Sequence, residues 1–161
     1  MRRPKAAWPS GEWSQEPDEK RWEDRDTGLQ CFAMRGPAGA WCGYVGVRDG
    51  HPAFGFSSTY DYSIDDVASG LAAKRVNVQK QVNDIEVHGG LTYSGTDKMR
   101  GEAWWWFGFD CSHAGDYCPS YEDIKQLGTP TGWGSVVEYR NLDYVTAQCA
   151  ELAKQLGRIS K

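Results

Sequence analysis

The chain has 161 residues and a formal net charge of −4; at roughly 100–200 residues per domain, this length predicts one domain. Leu, Ile, Val and Phe number only 26, about 16% of the chain where less than roughly 20% usually signals disorder, but eight Trp and eight Tyr supply the missing apolar bulk. No run of 18 apolar residues exists, which excludes a membrane-spanning helix, and a pI near 5.4 without a basic run past residue 5 argues against duplex nucleic acid as the partner.

Residues 1–28 read as a partly extended N-terminal arm, and 29–161 as a single α+β domain. Pro4, Pro9, Gly11 and Pro17 interrupt the arm, while Trp8 and Trp13 are placed to pin it to the domain. The basic opening leads into Trp8, Pro9 and Ser10 instead of an apolar stretch, so no secretory leader is expected. Five cysteines without framework spacing suit reduced, buried thiols in a cytoplasm.

Strands are predicted at 29–34 and 41–47, joined as an antiparallel hairpin by Gly36, Pro37, Ala38 and Gly39. Trp41, Val45 and Val47 share one face of the second, and Gly43 and Gly46 predict close packing or a bulge. An aromatic loop with Phe54, Phe56, Tyr60 and Tyr62 follows. Ser63 and Asp66 then open an inserted helix over 63–83, although Val76 and Val78 also suit a strand. Short strands are expected at 85–88 and 91–94. Residues 103–109, including Trp104, Trp105 and Trp106, form the most apolar stretch and predict a central strand. Residues 110–135 are rich in Gly and Pro and read as loop, with a helical turn around 121–127. Asn141 is a plausible N-cap for a C-terminal helix whose Leu142, Val145, Cys149, Leu152 and Leu156 recur at spacings of three and four. The fold class is α+β: a mainly antiparallel sheet with one long C-terminal helix and one inserted helix.

Two polar segments lie beside very apolar strands. In the first, His88 precedes Gly89, Gly90 and Thr92; paired glycines let a ligand approach the main chain and can form an anion nest. In the second, Asp110, His113 and Asp116 are spaced by three and gather if the loop turns. His88, Asp110, His113 and Asp116 are therefore the candidate catalytic set, as metal ligands or as a metal-free acid–base system. The bland alternative is that they cap turns, pair with arginines and fill the interior. Cofactor and metal are not identified. Arg35 and Arg140 are candidate anion contacts, Arg48 and Arg100 weaker ones. Trp41, Tyr44 and Tyr93 are candidates to stack on a ligand, and the aromatics are expected to wall the cleft.

The stretches around Arg35–Pro37, Trp41–Val45, His88–Tyr93, Trp105–Asp116 and Tyr139–Val145 resemble, in the same order, a family of small proteins found widely in phages and prophages. The likeness spans about residues 29–156, and the inserted helix is longer than that family's usual connection. It implies no settled activity; by analogy it implies an accessory, anti-defence role in the cytoplasm of an infected or lysogenic bacterium.

Three functions follow. The first is binding or sequestering a small phosphorylated or nucleotide-like ligand. The second is a His/Asp-dependent or metal-assisted hydrolase or phosphoesterase. The third is a protein inhibitor of a host defence complex. Membrane and duplex nucleic acid are not expected partners; a homo-oligomer and a host protein stay open.

Overall fold

The structure is a computed structural model and describes residues 4–58, 72–97, 100–120 and 137–161. Within these, the chain builds a five-stranded antiparallel sheet and two helices, an α+β fold. The strands are β1 (Glu19–Glu23), β2 (Gln30–Arg35), β3 (Trp41–Arg48), β4 (Tyr93–Gly95) and β5 (Trp104–Asp110); the helices are α1 (Ala72–Asn83) and α2 (Leu142–Gly157). Their order across the sheet is β1-β2-β3-β5-β4.

The β2–β3 hairpin forms as its Gly-Pro turn predicts, in unbroken register from Gln30 opposite Gly46 to Arg35 opposite Trp41. There is no bulge at either strand glycine. A Cβ at Gly43 would lie 2.4 Å from the Phe109 ring and 2.8 Å from Cys149 Sγ, so this position brings β3 close to β5 and α2. β5 lies between β3 and the short edge strand β4, with Trp106–Phe109 buried. Alternation sends Trp105 to the α2 side, where its Nε1 donates to the Phe56 carbonyl at 3.0 Å, and Trp106 to the other side with Trp104.

One sheet face carries Cys31, Ala33, Trp41, Val45, Val47, Phe107 and Phe109, which α2 covers with Val145, Cys149, Leu152 and Leu156. The apolar stripe read from the sequence is therefore the buried face of α2. Asn141 caps it, accepting the Tyr144 backbone N–H at 2.8 Å. α1 adds Val78 and Val82, followed by Ile85. The first turns of the helix expected over 63–83, and the helical turn expected at 121–127, lie outside the described residues. The opposite sheet face holds Phe32, Tyr44, Tyr93, Trp104 and Trp106, with Arg100 stacked 3.9 Å from the Tyr44 ring centroid and 4.8 Å from that of Tyr93.

Within residues 1–28, two 3-10 turns (Lys5–Ala7 and Glu12–Gln15) precede β1, which pairs with β2 along its whole length. Arg35 anchors this segment. Its buried guanidinium meets Asp18 at 3.0 Å, Glu16 at 3.6 Å and the Tyr139 hydroxyl at 2.9 Å. Trp13 stacks on Tyr117 at 5.1 Å and meets Tyr139 edge-on at 5.0 Å, which is the pinning its position suggests. Among the described residues, no helix is long and apolar enough to cross a membrane.

The strand expected at 85–88 does not form. Residues 85–87 belong to no strand, and two glutamines of α2 meet the backbone of this segment instead. Gln155 accepts the Glu86 N–H at 2.8 Å and donates to the Glu86 carbonyl at 2.7 Å, and Gln148 accepts the His88 N–H at 2.9 Å. Side-chain amides have replaced a neighbouring strand.

Candidate functional site

The site forms where four pieces of chain meet: the turn after residue 87, the end of β5, the loop at 113–116 and the first turn of α2. The Gln148 contact fixes the backbone of His88. The His88 ring is then held from both sides, with Nε2 2.7 Å from Asp116 Oδ2 and Nδ1 2.8 Å from the Tyr144 hydroxyl. A carboxylate only accepts, so Nε2 carries a proton, and in the neutral imidazole Nδ1 accepts from the Tyr144 hydroxyl. Asp116 is buried and fully engaged: it also accepts the His113 N–H at 3.1 Å and Arg140 Nε at 3.1 Å.

The 113–116 segment turns through the Asp116 N–H to His113 carbonyl bond of 2.9 Å, and residues 116 and 138 form a short parallel bridge. This turn gathers Asp110, His113 and Asp116 as their spacing suggests. Asp110, at the end of β5, accepts from Thr92 Oγ1 at 3.1 Å and from the backbone and side chain of Ser112. Burial alone would raise the Asp110 carboxyl, but the Ser112 hydrogen bonds, helped by His113 and Thr92, hold it below its ordinary value.

His113 Nε2 lies 3.4 Å from Asp110 Oδ1, out of line for a hydrogen bond, and has no hydrogen-bond partner among the described residues. The ring is about a third exposed and its centroid stands 5.9 Å from that of His88. Gly89 makes this approach possible. With φ +68°, it would place a Cβ 2.2 Å from the His113 ring. Two imidazoles, each beside its own carboxylate, thus face one another across a glycine.

Of the other candidates, Thr92 and Gly89 are on the exposed rim, and the Gly90 N–H is used by the Val87 carbonyl at 2.8 Å. Arg140 is ion-paired with Asp116 and, at 3.0 Å, with Glu138. Arg35 and Trp41 are buried at the N-terminal segment, where Trp41 Nε1 donates to Glu16 at 3.3 Å. Tyr44 and Tyr93 meet edge to face, with centroids 5.8 Å apart, on the sheet face away from α2. The ring that packs against His88 is instead Tyr144, at 5.4 Å. Sequence reasoning left Tyr144 and Gln148 out of the site; their signal was the i, i+4 pair on the first turns of α2, just after Arg140.

Burial raises the cysteines: Cys31 to about 12, and Cys42 and Cys118 to about 11. That is the behaviour of inert core thiols. Among the described residues no three His, Cys, Asp or Glu side chains are grouped as metal ligands.

No family model, curated protein or solved structure matches this chain. The chemistry has to be read from the side chains themselves. They offer a fixed proton relay, Tyr144–His88–Asp116, and a more exposed pair, His113–Asp110.

Proposed function

We propose that the protein is a hydrolase acting through His/Asp acid–base chemistry, and that it serves as an accessory protein of phage type. The observation that carries the reading is the pair of imidazoles 5.9 Å apart, each close to a separate carboxylate. General acid–base catalysis needs one group to take a proton while another gives one, and such a pair supplies both. Sequestering a phosphorylated ligand would instead call for a cation to meet it. Both arginines first assigned to that task already hold carboxylates, Arg35 with Asp18 and Glu16, Arg140 with Asp116 and Glu138. The phage context, and with it a cytoplasmic setting and a role against host defence, is supported by the motif resemblance.

The test is a panel of chromogenic carboxylic esters and phosphate mono- and diesters. Turnover of at least one class is expected, reduced by about 10²–10⁴-fold in His88→Asn and His113→Asn. Wild-type rates equal to buffer across the panel would overturn the reading, and a nucleotide released intact from the purified protein would return the argument to sequestration.

A further inference from the structure

His88 is 13% exposed and both its ring nitrogens are occupied, so the imidazole itself has no free nitrogen to offer a substrate. The group at the other end of this chain of hydrogen bonds is the Tyr144 hydroxyl, on a half-buried side chain. Hydroxyl, imidazole and carboxylate stand in the order nucleophile, base and orienter, at 2.8 and 2.7 Å, the pattern by which weak nucleophiles are activated. We propose that Tyr144 is the nucleophile of this site and that its substrates are activated acyl compounds. This inference rests on the acid–base reading above.

The chemistry sets the substrate class. Tyr144 Oη attacks the acyl carbon; the Oη–C bond forms, and the phenolic proton passes to Nδ1 of His88, whose imidazolium Asp116 stabilises. The bond to the leaving group breaks, and that group takes the proton from His88. Water, its proton taken by His113, then attacks the acyl carbon of the tyrosyl ester; the carbon–Oη bond breaks, the carboxylic acid leaves, and the phenolate takes up the proton held by His113, which restores Tyr144 and both imidazoles. Phenolate leaves far more readily than alkoxide or amide, so a tetrahedral adduct from an alkyl ester or amide collapses back to substrate. Only acyl groups on leaving groups as good as a phenol pass forward, namely thioesters, aryl esters and acyl phosphates. Two features support the assignment of Tyr144. Arg140 lies 4.9 Å from its ring centroid, where it favours developing phenolate charge. Burial raises the phenol above its ordinary value despite Arg140, so the hydroxyl is protonated at rest and requires the base that contacts it.

The experiment uses p-nitrophenyl acetate with the full chain, acid quenching and peptide mass mapping. Wild type is expected to show a burst of about one p-nitrophenolate per chain and an acetyl group on Tyr144. Tyr144→Phe abolishes both, His88→Asn slows the burst by about 10²-fold or more, and His113→Asn keeps the burst but accumulates the acetylated chain. Acetyl confined to lysines, or a burst retained in Tyr144→Phe, would overturn Tyr144 as nucleophile. Steady turnover retained in Tyr144→Phe but lost in His113→Asn would leave the acid–base reading standing without it. No burst and no turnover of p-nitrophenyl acetate in wild type would overturn Tyr144 as nucleophile, and the acid–base reading falls with it only if the phosphate esters of the panel are also untouched. Circular dichroism of each variant keeps misfolding from passing as loss of function, and His88→Asn is a second route should Tyr144→Phe fail to fold.

Discussion

Gly89 lets the two imidazoles approach, and its replacement is the cleanest single-residue test of the site. An alanine there takes up a left-handed backbone, at about 1–2 kcal/mol, and its Cβ occupies the space of the His113 ring. Gly89→Ala is expected to displace His113 and lower turnover by at least about tenfold, while Gly90→Ala, with open space around its Cβ position, retains the His113 position. Histidine ring chemical shifts in the two variants check this: unchanged His113 resonances in Gly89→Ala would show that the close approach is not needed. The residue scale also shows what the sequence concealed. The spacing of Asp110, His113 and Asp116 was legible because one turn gathers residues three apart. Tyr144 was not, since its partner lies 56 residues away in the chain, and no local pattern records that meeting.

At the level of elements, α2 is held at both ends by side chains from elsewhere. Near its C-terminus, His51 Nε2 donates to the Leu156 carbonyl at 3.1 Å, and His51 Nδ1 accepts the Ala53 N–H at 3.1 Å. Burial lowers His51 below its ordinary value near 6.5, against the opposing pull of the Leu156 carbonyl. A depressed folded value means that the unfolded chain binds the proton more readily. His51 therefore contributes full stability above about pH 6.5, and this is lost as pH falls toward and through its folded value. Urea denaturation from pH 7.5 to 5 is expected to show this decline, and His51→Gln, which cannot take up the proton, to lack that part of it; identical slopes would dissociate His51 from the effect. Strands β2, β3 and β5 were readable because alternation, aromatic content and a Gly-Pro turn agree. Residues 85–88 misled because an alternating, half-apolar stretch reads as a strand whether its hydrogen bonds go to a neighbouring strand or, as here, to Gln148 and Gln155.

For the molecule as a whole, the N-terminal segment is built into the fold. Glu16 accepts from the Tyr139 hydroxyl at 2.6 Å, from Trp41 Nε1, and from the Leu142 N–H at the start of α2. It also stands 3.6 Å from the buried Arg35 guanidinium. Glu16→Ala removes the acceptor of the Tyr139, Trp41 and Leu142 donors, while Arg35 keeps Asp18, and is expected to cost about 1–3 kcal/mol, the range for leaving buried donors unsatisfied, read as a lower urea midpoint. A midpoint within error of wild type would make the segment peripheral. The two sheet edges are guarded differently. β1 carries charges of both signs at Glu19, Lys20, Arg21 and Glu23, and β4 is only three residues long, so neither presents a long apolar edge to another chain.

The contact between Glu16 and Leu142 spans 126 positions, and a ribosome makes those positions in order. The β2–β3 hairpin can pair early, but the N-terminal segment waits until α2 has been made. Until then His88 has no Tyr144 and Asp116 has no Arg140. A nascent or prematurely terminated copy ending before residue 140 therefore carries the histidines without their relay, and the site comes into being only with the last helix.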